Sequence, residues 1–220
     1  MSAINRGKFT LVALAFGTAA LLPFFDTGYW LSLGVSLAMY AVLATSWTLF
    51  SGPTHYISLA TAAFFGTGMY VVGGGVDLLP YPALVLIAAL TGAALATLVG
   101  LTTMRISGVY FVIFTLGLAE LIRQVVTWVQ TTFTSSSGLY VLTDITESMI
   151  YWELMSLLAL VYLAGLMINH SRLGLALRVI GNDETVAAHI GINTAKAKVM
   201  LFIISGTVAS VCGALLAPRW

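Results

Sequence analysis

The chain has 220 residues, 60% of them hydrophobic and 8% charged, with a formal net charge of +1 and a mean hydropathy of +1.01. So few ionisable side chains cannot cover a core of this size in water, which excludes a soluble globule and leaves lipid as the main solvent.

A helix needs about 20 apolar residues to cross about 30 Å of hydrocarbon at about 1.5 Å per residue. Phe9 to Phe25 is uncharged and followed by Asp26; Tyr29 to Phe50 comes next, closed by "SGPTH", where Pro53 removes a backbone donor. Tyr56 to Val76 and Tyr81 to Met104 are separated by "DLLPYP", whose acid and two prolines suit a tight aqueous turn. A fifth run begins at Ile106 and is interrupted by Glu120 and Arg123, a sixth spans Tyr151 to Ile168, and a seventh Val199 to Ala217. The pattern predicts an all-α, polytopic bundle of seven membrane helices forming a single domain, 1–220. The first run exceeds the apolar centre of a secretory signal and leads into "PFFDTGYW", so it reads as an anchor. Cys212 stands alone, without a partner for a disulfide or a cysteine metal cluster.

With the amino terminus inside, Arg6, Lys8, Arg105, Arg172, Arg178, Lys196 and Lys198 fall on the cytoplasmic side, seven of the nine basic residues. The other side receives Asp26, Asp77, Asp144 and Glu147, with Glu153 at its border and Arg219 at the chain's end. The excess of basic residues in short inner loops selects this topology. It makes Asn169 to Lys198 a cytoplasmic loop of about 30 residues, long enough to have a task of its own. Within it Asn182 or Asp183 can cap a helix of about two turns, Glu184 suits the first turn, and Gly191 can end it in the left-handed conformation. Val186, Ala187 and Ile190 are expected to form an apolar ridge fitted to a groove on another protein, with a resting place on the bilayer surface as the alternative.

Three blocks carry a resemblance: "RVIGNDETVAAHIGIN" with the following "AKAKVMLFIISGTVASVCGALLAP", "SLATAAFFGTGMY" and "RISGVYFVIFTLGLAELIRQVV". In order and spacing the chain resembles the LivM-type permeases, subunits of ATP-binding-cassette importers of branched-chain amino acids. Family members usually have glycine and histidine or glutamine where this chain has Ala60 and Thr61, and usually continue well beyond "GALLAP", so the chain is expected to be shortened at its carboxyl terminus. The resemblance implies a multi-pass subunit of the cell (inner or plasma) membrane. Its partners would be two cytoplasmic ATP-binding subunits, a second permease subunit (LivH-like) or a second copy, an extracytoplasmic substrate-binding protein and the lipid bilayer, with no nucleic acid. It also implies that the loop helix seats in a cleft on the ATPase through Asp183, Glu184, Val186, Ala187, Ile190 and Gly191. Urea, amides and aromatic acids are carried by relatives.

No G-x-x-x-x-G-K-[ST] occurs, so ATP is expected to be hydrolysed by a partner and the chain itself to be no enzyme. No cofactor, metal site or catalytic residue is expected. Ala88, Gly92, Ala96 and Gly100, and likewise Gly206, Ser210 and Ala214, recur every four residues and read first as packing faces. Gly66 and Gly68 lie among Ser58, Thr61 and Thr67, whose hydroxyls suit a polar solute where a helix is unwound, so these five residues are candidate pathway positions. Glu120 falls about 21 Å beyond Ile106, in the outer half of the membrane. Arg123, three positions on, can pair with it. Charges in hydrocarbon are costly, so both should face protein or water, holding helices together or, as pathway residues, bordering the solute. The rival readings are a single-chain secondary transporter, for which Glu120 is the only candidate coupling acid, and a seven-helix receptor. A retinal-type receptor would need a lysine deep in the last run, and Lys198 stands at its border.

Overall fold

The computed structural model describes residues 16–25, 28–103, 106, 108–134 and 145–219. Among these there are helices and connections but no strand. After the short α1 (Leu22–Phe25) come α2 (Tyr29–Thr54), α3 (Thr61–Gly75), α4 (Tyr81–Thr103) and α5 (Val109–Val129), the last continued by a π-turn over Gln130–Thr134. Then follow α6 (Glu147–His170), α7 (Arg172–Asn182), α8 (Glu184–His189) and α9 (Thr194–Leu216), with a final 3-10 turn at Ala217–Arg219.

Five of the seven expected runs are helices long and apolar enough to cross a membrane: Tyr29–Thr54, Tyr81–Thr103, Val109–Thr132, Glu147–His170 and Thr194–Arg219. The third expected span is shorter. Its helix has 15 residues, about 22 Å of rise, because the chain from His55 to Ala60 is not helical. Pro53 does not end α2 either; the helix runs one residue past it, and His55 closes it with a φ of 57° while its N–H bonds Ser51 O at 3.0 Å. Residues 9–15 of the first run lie outside the described residues, as do Arg6, Lys8, Asp26, Arg105 and Asp144.

The middle of the bundle is α9. Its most apolar stretch is 67% buried, against 11% for α5, and it packs along α4, α3 and α2. Lipid offers side chains an apolar alternative, so close backbone approach and interhelical hydrogen bonds carry association here. The four-residue repeat of α4 is the surface that meets α9, and Ala88, Gly92, Ala96 and Gly100 are all buried. Ser210 Oγ donates to Ala88 O at 2.7 Å. Ser46 and Ser205 exchange reciprocal bonds between α2 and α9, each hydroxyl donating to the other's carbonyl at 2.9 Å. At this packing a Cβ on Gly68 would stand 1.8 Å from Ser210 O, and one on Gly213 2.0 Å from Phe65 O.

Two clusters of polar groups lie at opposite ends of the bundle. At one, Tyr56 meets Glu184 and the α7 backbone at Gly181 lies against Pro53. At the other, Arg219 reaches Ser32 and Ser36 and lies 3.7 Å from Glu147, while the Tyr81 hydroxyl donates to Glu153 at 2.9 Å.

Candidate coupling helix and groove

Three caps turn the expected loop 169–198 into an almost continuous helical elbow. Ser171 Oγ accepts from Gly174 N at the start of α7, Asp183 Oδ1 accepts from Thr185 N and Val186 N at the start of α8, and Asn193 Oδ1 accepts from Lys196 N at the start of α9. Each cap satisfies a backbone donor that the first turn would otherwise leave free. At the far end of α8, Gly191 has a φ of 83°. Ile192 N bonds Ala187 O and Gly191 N bonds Ala188 O, both at 3.0 Å, the paired carbonyl closure of a glycine-terminated helix. The expected two-turn helix, its Asp183 cap and its Gly191 stop are all present. The eleven-residue α7 before it is an addition, and its buried Gly174, Leu177 and Ile180 form the periodic face that signals it.

The six loop residues divide by surroundings. Val186 and Ile190 are 51% and 62% exposed, neighbours on the outer side of α8. Ala187 is fully buried, turned about 100° from Val186 into a cluster with Leu177, Ile180, Phe50, Phe64, Phe111 and Phe202. The expected three-residue ridge is therefore a two-residue one, and Ala187 seats the helix on the bundle. Asp183 is committed to capping, and its hydrogen bonds from the Thr185 hydroxyl, then from the Val186 and Thr185 amides, hold its carboxyl below the usual range.

Glu184 is the fastening. Its Oε1 accepts from Lys198 Nζ at 2.5 Å and its Oε2 from the Tyr56 hydroxyl at 3.0 Å. Lys198 is 1% exposed, and its ammonium lies 4.4 Å from the centre of the Tyr56 ring. The sequence places Lys198 among the loop bases; the structure turns it inward, where a burial too costly for a lone ammonium is offset by a carboxylate, a phenol and a π face. Partial burial works to raise the Glu184 carboxyl, but the hydrogen bond and charge of Lys198 and the hydroxyls of Tyr56 and Thr194 outweigh it, leaving a net lowering.

That lowering fixes a pH window. The folded carboxyl gives up its proton more readily than the usual glutamate value of 4.5, so its contribution to stability is complete above that value and lost as pH falls through the lower folded one. The melting temperature of the wild type should exceed that of Glu184→Gln by a constant margin from about pH 7 to about pH 5, and the margin should close in more acid solution. A margin that widens on acidification would contradict the clamp.

The seven pathway candidates also part company. Ser58 is buried in the non-helical stretch before α3, its Oγ accepting from Ala60 N at 3.3 Å and its carbonyl accepting from Trp47 Nε1 at 2.9 Å. Leu59 N donates to Thr115 Oγ1 at 3.2 Å. Such bonds satisfy backbone groups that the unwound stretch leaves without helical partners. Thr61 opens α3, Thr67 returns its hydroxyl to Ala63 O at 2.7 Å, and Gly68 is taken up by contact with α9. Gly66, Glu120 and Arg123, in contrast, line one groove of about 780 Å³ between α3 and α5. Glu120 and Arg123 do pair, Nη2 to Oε1 at 2.6 Å and Nε to Oε2 at 2.9 Å. Gln124 Nε2 adds a third bond at 2.9 Å. The expectation that the pair fastens helices is corrected: both side chains are more than half exposed, and both stand on α5. The helix starts at Val109 rather than near Ile106, placing Glu120 about 17 Å along it, near the middle of the Val109–Thr132 span rather than in its outer half.

Among the described residues no group of three metal-ligating side chains comes together. Five apolar helices of spanning length, tied by small-residue contacts, define a multi-pass helical membrane protein. The family model described as the permease component of a branched-chain amino acid transport system matches residues 29–220, and the chain belongs to that family. No curated protein and no solved structure matches the chain significantly.

Proposed function

We propose that the chain is the membrane-spanning permease subunit of an ATP-binding-cassette importer, providing part of the path for branched-chain, hydrophobic amino acids while partner ATPases supply the energy. The observation that carries this reading is α8 itself. It is short, capped at both ends, seated by Ala187 and clamped by Glu184, and presents Val186 and Ile190 outward. A helix meant only to float on lipid has no need of an ion pair to a buried lysine beneath it; one that transmits force does. The excess of lysine and arginine in the short loops on that side supports a cytoplasmic position for α7 and α8. The first apolar run and α3, added to the five long helices, make seven crossings with the amino terminus inside. Two ATP-binding subunits, a second permease chain of the same or a related kind, and an extracytoplasmic binding protein complete the assembly.

Affinity purification from the native membrane tests the reading. The wild-type chain should carry an ATPase with it. Val186→Asp with Ile190→Asp should release that ATPase while leaving the melting temperature unchanged, because both side chains already face solvent. Retention of the ATPase by the double variant would remove α8 from the interface, and a wild-type chain that transports without any ATPase would favour a secondary carrier.

A further inference from the structure

The groove between α3 and α5 holds two charges that no helix of the described chain covers. On an ordinary lipid-facing helix they would be out of place, since hydrocarbon solvates neither. Their arrangement is a fork: Arg123 presents Nε and Nη2 side by side to a carboxylate, and Glu120 presents a carboxylate to cationic donors. The walls around them are apolar, with Ile113 and Leu116 along α5, Val126 beyond the pair and Ala62 across on α3.

The glycines of this groove differ from those of the packing faces. A Cβ at Gly66 or at Gly117 would meet nothing within 4 Å. Glycine inside a helix costs about 1 kcal/mol relative to alanine, and no neighbouring helix requires it at either position. What these glycines do is keep the groove wide beside the ion pair.

We propose that Glu120 and Arg123 form a recognition site for an apolar α-amino-acid zwitterion, which opens the pair by exchange: its carboxylate takes the Arg123 fork, its ammonium takes Glu120, and its side chain lies against the apolar wall next to the pair. The exchange conserves charge, replacing one ion pair by two, and bidentate guanidinium–carboxylate contacts give it orientation. A ligand lacking either charge would leave one member of the opened pair unmatched. This rests on the permease reading and names the groups that would recognise its solute.

Saturation-transfer NMR on the full-length chain in lipid nanodiscs tests it, with L-leucine as the probe and leucinamide and 4-methylpentanoate as analogues that each lack one charge. The methyl signals of L-leucine should be saturated by the wild type, and each analogue should bind at least about tenfold more weakly. Gly66→Leu should abolish the signal without lowering the melting temperature, since its side chain enters open space; Gly117→Leu makes the same test from the opposite wall. Equal binding of the three ligands, no leucine signal from the wild type, or a signal that survives a folded leucine variant at either glycine overturns the site. A chain that co-purifies with its ATPase yet gives one of those results loses this site and keeps its place as a permease.

Discussion

Gly68→Ala should remove the folded chain from the membrane, while Gly66→Ala, two residues earlier on the same helix, should be tolerated. The added methyl at 68 would stand 1.8 Å from the carbonyl oxygen of Ser210. That oxygen belongs to the backbone of α9, so no side-chain rotation relieves the clash and two packed helices have to separate. Overpacking against rigid neighbours costs about 1–3 kcal/mol in ordinary cores and more where backbone must move; here about 3 kcal/mol or more is expected. The same shift would strain the Gly92 contact with Ser210 and the Ser210 bond to Ala88. At Gly66 the methyl enters open space, and the change should gain up to about 1 kcal/mol in helix propensity. Thermal unfolding followed by size-exclusion chromatography in detergent separates the two. Comparable melting of both variants would show that α3 and α9 do not pack as described.

The second large effect is at the clamp. Glu184→Ala leaves the Lys198 ammonium in a site where only the Tyr56 hydroxyl, at 3.2 Å, and its ring remain as partners. Breaking a buried pair from one side typically costs about 3–5 kcal/mol, and since Glu184 is partly exposed and water can enter in its place, about 2 kcal/mol is the expected loss. Lys198→Met alone removes the cation that needs solvating and should cost less. The double variant Glu184→Ala/Lys198→Met should therefore be more stable than Glu184→Ala, a sign reversal that a double-mutant cycle on melting temperatures reads directly. Its transport should not return with its stability, because α8 would rest on an apolar contact without the bond that fixes its angle. Full uptake by the double variant would mean that the ion pair serves folding alone.

The parts of this molecule legible in its sequence are those set by short-range rules. The Asp183 cap, the Gly191 stop and the four-residue repeats of α4 and α9 each follow from neighbours within one or two turns. The unwinding of residues 55–60 was not legible, because it depends on Trp47 and Thr115 reaching in from other helices to occupy the freed backbone groups. Ala187 and Val186 are both small and apolar on adjacent positions, and only the aromatic cluster below α8 decides which one turns inward. Lys198 was hidden for a related reason: a lysine at the edge of an apolar run looks like a loop cation until its partner, fourteen residues earlier, folds back over it. Glu120 and Arg123 were legible as a pair from their spacing, while the side of the bundle they face was not.

Only Ile190, Gly191, Ile192 and Asn193 separate the end of α8 from the first residue of α9, and the bonds across that joint leave it little slack. Helix α9 is 23 residues long, about 34 Å. Treated as a rigid lever, a tilt of about 5° imposed at the joint would carry its far end about 3 Å, roughly the width of one water molecule. If α8 is the coupling helix proposed above, a push of that size on one capped turn would be felt at the opposite side of the membrane.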